Sequence, residues 1–129
     1  MIINVNSPSY SERDFDADDY GVAGLGSFTA TTGTTFYKVW NDSLFLHMSV
    51  TGSVGASTKF IALDLPNSKT LAHGALQLPY CTIVNTLGNL EQLPLTSAGS
   101  QLLVRTEDLS DHTVGAISIY VNIELGINT

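Results

Sequence analysis

Between Ile117 and Leu125 the chain alternates strictly. Ile117, Ile119, Val121, Ile123 and Leu125 are apolar, and Ser118, Tyr120, Asn122 and Glu124 stand between them. A period of two places the two sets on opposite faces, so this segment predicts a half-buried β-strand with its aliphatic face in the core. Leu44, Leu46, Met48 and Val50 repeat the pattern against Phe45, His47, Ser49 and Thr51, and the alternation stops at Gly52. Shorter stretches predict further strands at 27–31, 35–40, 59–65, 75–84 and 101–106. Turn signals lie between them at Thr32-Gly33-Thr34, Asn41-Asp42, Gly52-Ser53-Val54-Gly55, Pro66-Asn67-Ser68, Gly88-Asn89 and Ala98-Gly99-Ser100. No stretch carries a long amphipathic helical stripe; residues 107–112 allow at most a turn, capped by Thr106 or Ser110. Seven or eight short strands at this spacing predict an all-β fold, an antiparallel β-sandwich of jelly-roll type.

Composition narrows the function classes. In 129 residues, 43% are hydrophobic and only 13% charged, which excludes a disordered chain and fits one domain. Five Lys and Arg against 12 Asp and Glu give a net charge of -7, which repels phosphate backbones at long range, so no nucleic-acid partner is expected. No apolar run reaches the ~20 residues of a membrane helix, and no membrane insertion is expected. The start lacks the basic and apolar regions of a signal peptide, so the expected route is synthesis in the cytoplasm.

Residues 1–20 read as an N-terminal acidic arm, and 21–129 as the sandwich domain. The arm's apolar residues Ile2, Ile3, Val5 and Phe15 are interrupted by Ser7-Pro8-Ser9 and accompanied by Glu12, Asp14, Asp16, Asp18 and Asp19. Such a segment cannot build a core alone. It is either an attachment element that uses Ile2, Ile3, Val5 and Phe15, or a loop folded over its own domain.

Few residues offer catalytic chemistry. Asp14, Asp16 and Asp18 have the spacing that opens a calcium loop, but Asp19 stands where the turning Gly is needed and Leu25 where a closing Glu is needed. His47, His73 and His112 lack metal-ligand spacing, and the lone Cys81 sits in an apolar stretch that favours burial over reactivity. No nucleophile elbow, phosphate loop or dinucleotide fingerprint occurs. The expectation is a protein without enzymatic activity, cofactor or metal. Trp40, Asn41 and Tyr120 are the candidate ligand or interface residues: Trp40 stands beside the Asn41-Asp42 turn and Tyr120 on the polar side of the last strand. Packing within the sandwich is the competing reading for both aromatics. Asn41-Asp42-Ser43 also matches a glycosylation sequon and is read as a turn.

One longer pattern adds to this. Phe36-Tyr37-Lys38-Val39-Trp40-Asn41, the alternating strand leading to Thr51-Gly52, and Phe60-Ile61-Ala62-Leu63-Asp64-Leu65-Pro66 resemble, with the closing strand, a module of tailed-bacteriophage fibres and other virion-surface proteins. Trp40 stands where that module usually has Gly, and Asn67 where it often has an aromatic residue, so no receptor-pocket residue is carried over. The resemblance implies a structural or adhesion protein on the virion surface: a capsid decoration, head fibre or fibre tip. It also implies a homotrimer whose partners are other virion proteins of the capsid or tail. The alternative is a carbohydrate-binding module or lectin recognising host-surface glycans.

Overall fold

The computed structural model of the chain describes residues 9–66 and 77–127. The described chain is all-β and antiparallel. Nine strands run in order: β1 (Ser11–Arg13), β2 (Tyr20–Val22), β3 (Phe28–Trp40), β4 (Ser43–Val54), β5 (Ile61–Asp64), β6 (Gln77–Val84), β7 (Leu90–Ala98), β8 (Gln101–Val104) and β9 (Gly115–Gly126). They form one continuous sheet in the order β1-β3-β4-β9-β6-β7-β8-β5-β2. The expected two-sheet sandwich is therefore corrected to a single curled sheet, a half-barrel. The cause is the unbroken ladder: β9 bonds to β4 on one edge and to β6 on the other, so no break separates two layers.

The concave side is the core. Leu44, Leu46, Met48, Val50 and Val54 of β4 face it beside Ile117, Ile119, Val121, Ile123 and Leu125 of β9, all buried. Leu63, Leu95, Leu102 and Val104 complete it from the far half of the sheet. Burying a side chain of this size contributes about 1.5–3 kcal/mol each, which is why the period-two pattern dictates the register.

Three departures from the sequence reading have physical causes. Thr32-Gly33-Thr34 is no turn: β3 runs straight through it with a β-bulge between Ala30 and Thr32. The bulge flips the face, so Phe28 and Ala30 point inward before it, and Thr35, Tyr37 and Val39 after it. Thr31 Oγ1 donates to the Thr51 carbonyl at 3.0 Å, bonding across the irregularity. Gly52 likewise ends no strand; a Cβ there would lie 2.7 Å from Phe28 Cζ, so the glycine serves close packing inside β4. Strand β7 went unpredicted because Pro94 stands within it. Pro94 lies opposite the register shift between Leu78 and Cys81, where the ladder is already interrupted and a missing N–H costs little.

The Asn41-Asp42 and Ala98-Gly99-Ser100 turns form as expected, as does the turn at 106–109, where Leu109 N donates to the Thr106 carbonyl at 3.3 Å. The Pro66-Asn67-Ser68 signal and the start of the 75–84 strand reach outside the described residues, and Ile2, Ile3, Val5 and His73 lie outside them.

The described part of the expected arm is built into the sheet. Strand β1 pairs with β3, Ser11 opposite Tyr37, and a 3-10 turn at Ala17–Asp19 carries the chain to β2, which pairs with β5. The boundary expected at residue 20 thus falls in a strand whose first residue, Tyr20, is a core residue. Across the seam between the two sheet edges, the Tyr20 hydroxyl lies 3.3 Å from Thr35 Oγ1, and Arg13 bridges to Asp19 at 3.3 Å. Phe15 stacks on Tyr20, ring centroids 6.0 Å apart, so this arm candidate packs within its own domain. The opposite end of the half-barrel is pinned by Thr58, whose hydroxyl accepts from Ser27 N and donates to the Gly55 carbonyl, both at 2.9 Å.

Candidate functional site

The alternation that fills the core also dictates the convex face. In register, Phe36, His47 and Asn122 form one row across β3, β4 and β9. Thr34, Ser49, Tyr120 and Thr82 form the next row, reaching β6. Strands lie about 4.8 Å apart and alternate residues about 6.8 Å apart along a strand. Phe36 and Tyr120 are therefore diagonal neighbours two strands apart, with the smaller Ser49 between them.

This arrangement leaves a shallow cleft of about 380 Å³ lined by Thr34, Phe36, His47, Ser49, Tyr80, Thr82, Tyr120 and Asn122, with backbone of the strands beneath. Phe36 is 41% exposed, Tyr80 43% and Tyr120 46%, so each aromatic body is half seated and half offered to solvent. A smaller hollow of about 130 Å³ continues it toward Thr32 and Thr51 and shares Thr34, Ser49 and Tyr120. Among the described residues no Asp or Glu lines either hollow, although the chain carries 12.

One bank is held by a cluster around His47. The Tyr10 hydroxyl lies 3.2 Å from His47 Nε2, and the two rings meet edge to face at 5.2 Å. Lys38 Nζ sits 4.9 Å from the centre of the Tyr10 ring and 5.1 Å from that of Phe45, two cation–π contacts that fix the edge of the face. On the other bank, Glu107 accepts the Tyr80 hydroxyl hydrogen and holds this phenol above its usual range.

Of the three ligand or interface candidates, Tyr120 lies in the cleft. Trp40 ends β3 on the same convex face, 42% exposed, and pairs with Ser43 next to the turn. Asn41 occupies that turn with φ 58°, a left-handed conformation that Asn tolerates better than most residues, so its type is accounted for by backbone geometry. Phe36, His47, Tyr80 and Asn122 were missed as site residues. The signal that places Phe36 and Asn122 there is register, which joins strands far apart in the sequence.

Three polar groups elsewhere have local partners. Asp16 caps the 3-10 turn through Asp18 N at 2.9 Å. Asp108 takes hydrogen bonds from Ser110 and Thr106, which hold its carboxyl below the ordinary range. His112 is buried; its Nε2–H donates to the Val104 carbonyl at 2.9 Å and its backbone N–H to the Thr58 carbonyl at 2.7 Å. Among the described residues no three His, Cys, Asp or Glu side chains converge as metal ligands, and no helix is long and apolar enough to cross a membrane. Comparison with protein-family models, with curated proteins and with solved structures finds no match.

Proposed function

We propose that this chain is a non-enzymatic adhesion protein whose convex cleft binds a carbohydrate. The observation that carries the reading is the cleft lining: aromatic bodies of Phe36, Tyr80 and Tyr120 over hydroxyl, amide and imidazole groups, with no carboxylate among the described residues. A sugar ring offers an apolar C–H face to an aromatic and a rim of hydroxyls to Ser, Thr, Asn and His. The register supplies both at once.

The resemblance to tailed-phage fibre modules supports a setting on the virion surface, where such a cleft would recognise host glycans, and supports a homotrimer. The exposed apolar residues, Trp40 among them, are compatible with subunit contacts. Glycan-array binding followed by calorimetry on the full chain tests the cleft. Binding that weakens about tenfold or more in Phe36→Ala and in Tyr120→Ala is expected. Failure to bind any glycan, or binding unchanged in both variants, overturns it. Electron microscopy of particles with the protein labelled tests the virion setting, and light scattering that returns a monomer mass rejects the trimer.

A further inference from the structure

The strands are antiparallel, so the loops divide between two ends of the half-barrel. The segments 23–27, 55–60, 85–89 and 105–114 gather at the end away from the Asn41-Asp42 turn. They touch one another: Ala23 N donates to the Phe60 carbonyl at 3.1 Å, and Lys59 Nζ to the Leu109 carbonyl at 3.1 Å. Thr86 Cγ2 would lie 3.0 Å from a Cβ on Gly115. This end carries the most exposed aliphatic side chains of the described residues. Leu25, Leu87 and Leu90 are 75–83% exposed, with Leu109 at 50% and Val114 at 59%. Five exposed aliphatic residues thus stand at one end, on contacting segments, where they cost solubility without serving the core.

A cleft of about 440 Å³ opens at the same end. Its apolar part is Ile83, Leu93 and Ile117, and its polar wall includes Glu91, Glu107, Asp108 and Asp111. Against these four carboxylates, the described residues of this end include two cations: Lys59, paired with Asp111 at 3.3 Å, and Arg105, which donates to the Thr106 and Glu107 carbonyls. The end is thus apolar on its rim and net negative around its cleft.

We infer that this end docks a polypeptide segment of a partner protein that presents apolar side chains interspersed with Lys or Arg. The basic side chain suits the cleft because its aliphatic stem can lie along Ile83, Leu93 and Ile117 while its charge meets the carboxylates. A second copy of this chain fits poorly, since an end-to-end pair would set four carboxylates against four. An anionic lipid surface is repelled by the same charges. The inference does not rest on the carbohydrate reading, which uses the convex face; Glu107, whose carboxylate also holds Tyr80, is left out of the variants that test it.

The test is fluorescence anisotropy of a labelled synthetic peptide of alternating Leu and Lys, titrated with the full chain, beside a matched Leu–Glu peptide. Binding of the Leu–Lys peptide alone is expected. It should weaken about tenfold in Glu91→Gln with Asp111→Asn and by a similar factor in Leu87→Ser with Leu90→Ser. All four positions are exposed, so the thermal transition should stay put, and Leu109→Ser with Val114→Ser gives an independent apolar variant. No binding, equal binding of both peptides, or binding indifferent to these variants overturns the inference. So does loss of binding only on Phe36→Ala with Tyr120→Ala, or capture by phosphatidylcholine vesicles in place of the peptide.

Discussion

Arg13 Nη1 donates to the carbonyl oxygen of Asp64 at 2.9 Å and so joins β1 to β5 across the seam where the curled sheet meets itself. The same guanidinium lies 5.7 Å from the centre of the Tyr20 ring and pairs with Asp19. A charged, mostly buried group that satisfies several partners leaves them all unsatisfied when removed. Arg13→Ala should therefore cost about 2 kcal/mol, read as a lower urea midpoint at unchanged slope. Deletion of residues 1–20 should abolish the cooperative transition, because it removes Tyr20 from the core along with this clamp.

Neighbouring residues on β9 should behave oppositely. Ile119 is fully buried between Val50 and Ile83 in register, so Ile119→Asp places a carboxylate in the apolar layer and should cost more than about 4 kcal/mol. Tyr120→Ala, one residue on and half exposed, should cost less than about 1 kcal/mol while weakening ligand binding. Thermal circular dichroism of the two variants checks the contrast. A Tyr120→Ala protein as unstable as Ile119→Asp would mean the convex face carries structural weight instead.

Much of this was legible because alternation is written locally. The strands β4 and β9 and their inward faces follow from residues 44–50 and 117–125 alone. What was not legible depends on partners distant in the chain. The bulge in β3 is a break in period that the sequence shows only as Gly33 among threonines, and the same letters serve a turn. Pro94 argues against a strand until the shift in β6 opposite it is known. The cleft required register: Phe36, His47 and Asn122 are aligned by two hydrogen-bonded ladders that no spacing in the sequence encodes. The class of the candidate residues, exposed aromatics on the polar side of strands, was readable from Tyr120.

Asp19 gives a pH signature. Burial raises its carboxyl above the ordinary 3.8, against the opposing pull of Arg13, and the nearby Asp16, Asp64 and Asp18 carboxylates raise it further. The folded protein then holds this proton more tightly than the unfolded chain. The stabilising contribution is complete below about pH 3.8 and is lost as pH rises through the folded value. Asp19→Asn lacks that titration, so its melting temperature should equal or exceed the parent's at about pH 7, with the gap closing toward about pH 3. A variant less stable at neutral pH would show that the Arg13 pair outweighs burial.

Cys81 tests the irregular contact between β6 and β7. It is buried, paired in register with Leu93 beside the shift that accommodates Pro94, and burial pushes its thiol up to about 12. At neutral pH only about one thiol in 10⁵ is then ionised, and the thiolate is the reactive species. A thiol reagent should leave the native protein untouched and react fully once it is unfolded. The reaction rate in sub-denaturing urea separates two cases. If it rises with the same dependence as global unfolding, the β6–β7 contact opens only when the whole sheet does. Labelling that is fast in the absence of urea, with the thermal transition intact, would instead locate a local opening at the bulge and overturn the expectation of an inert thiol.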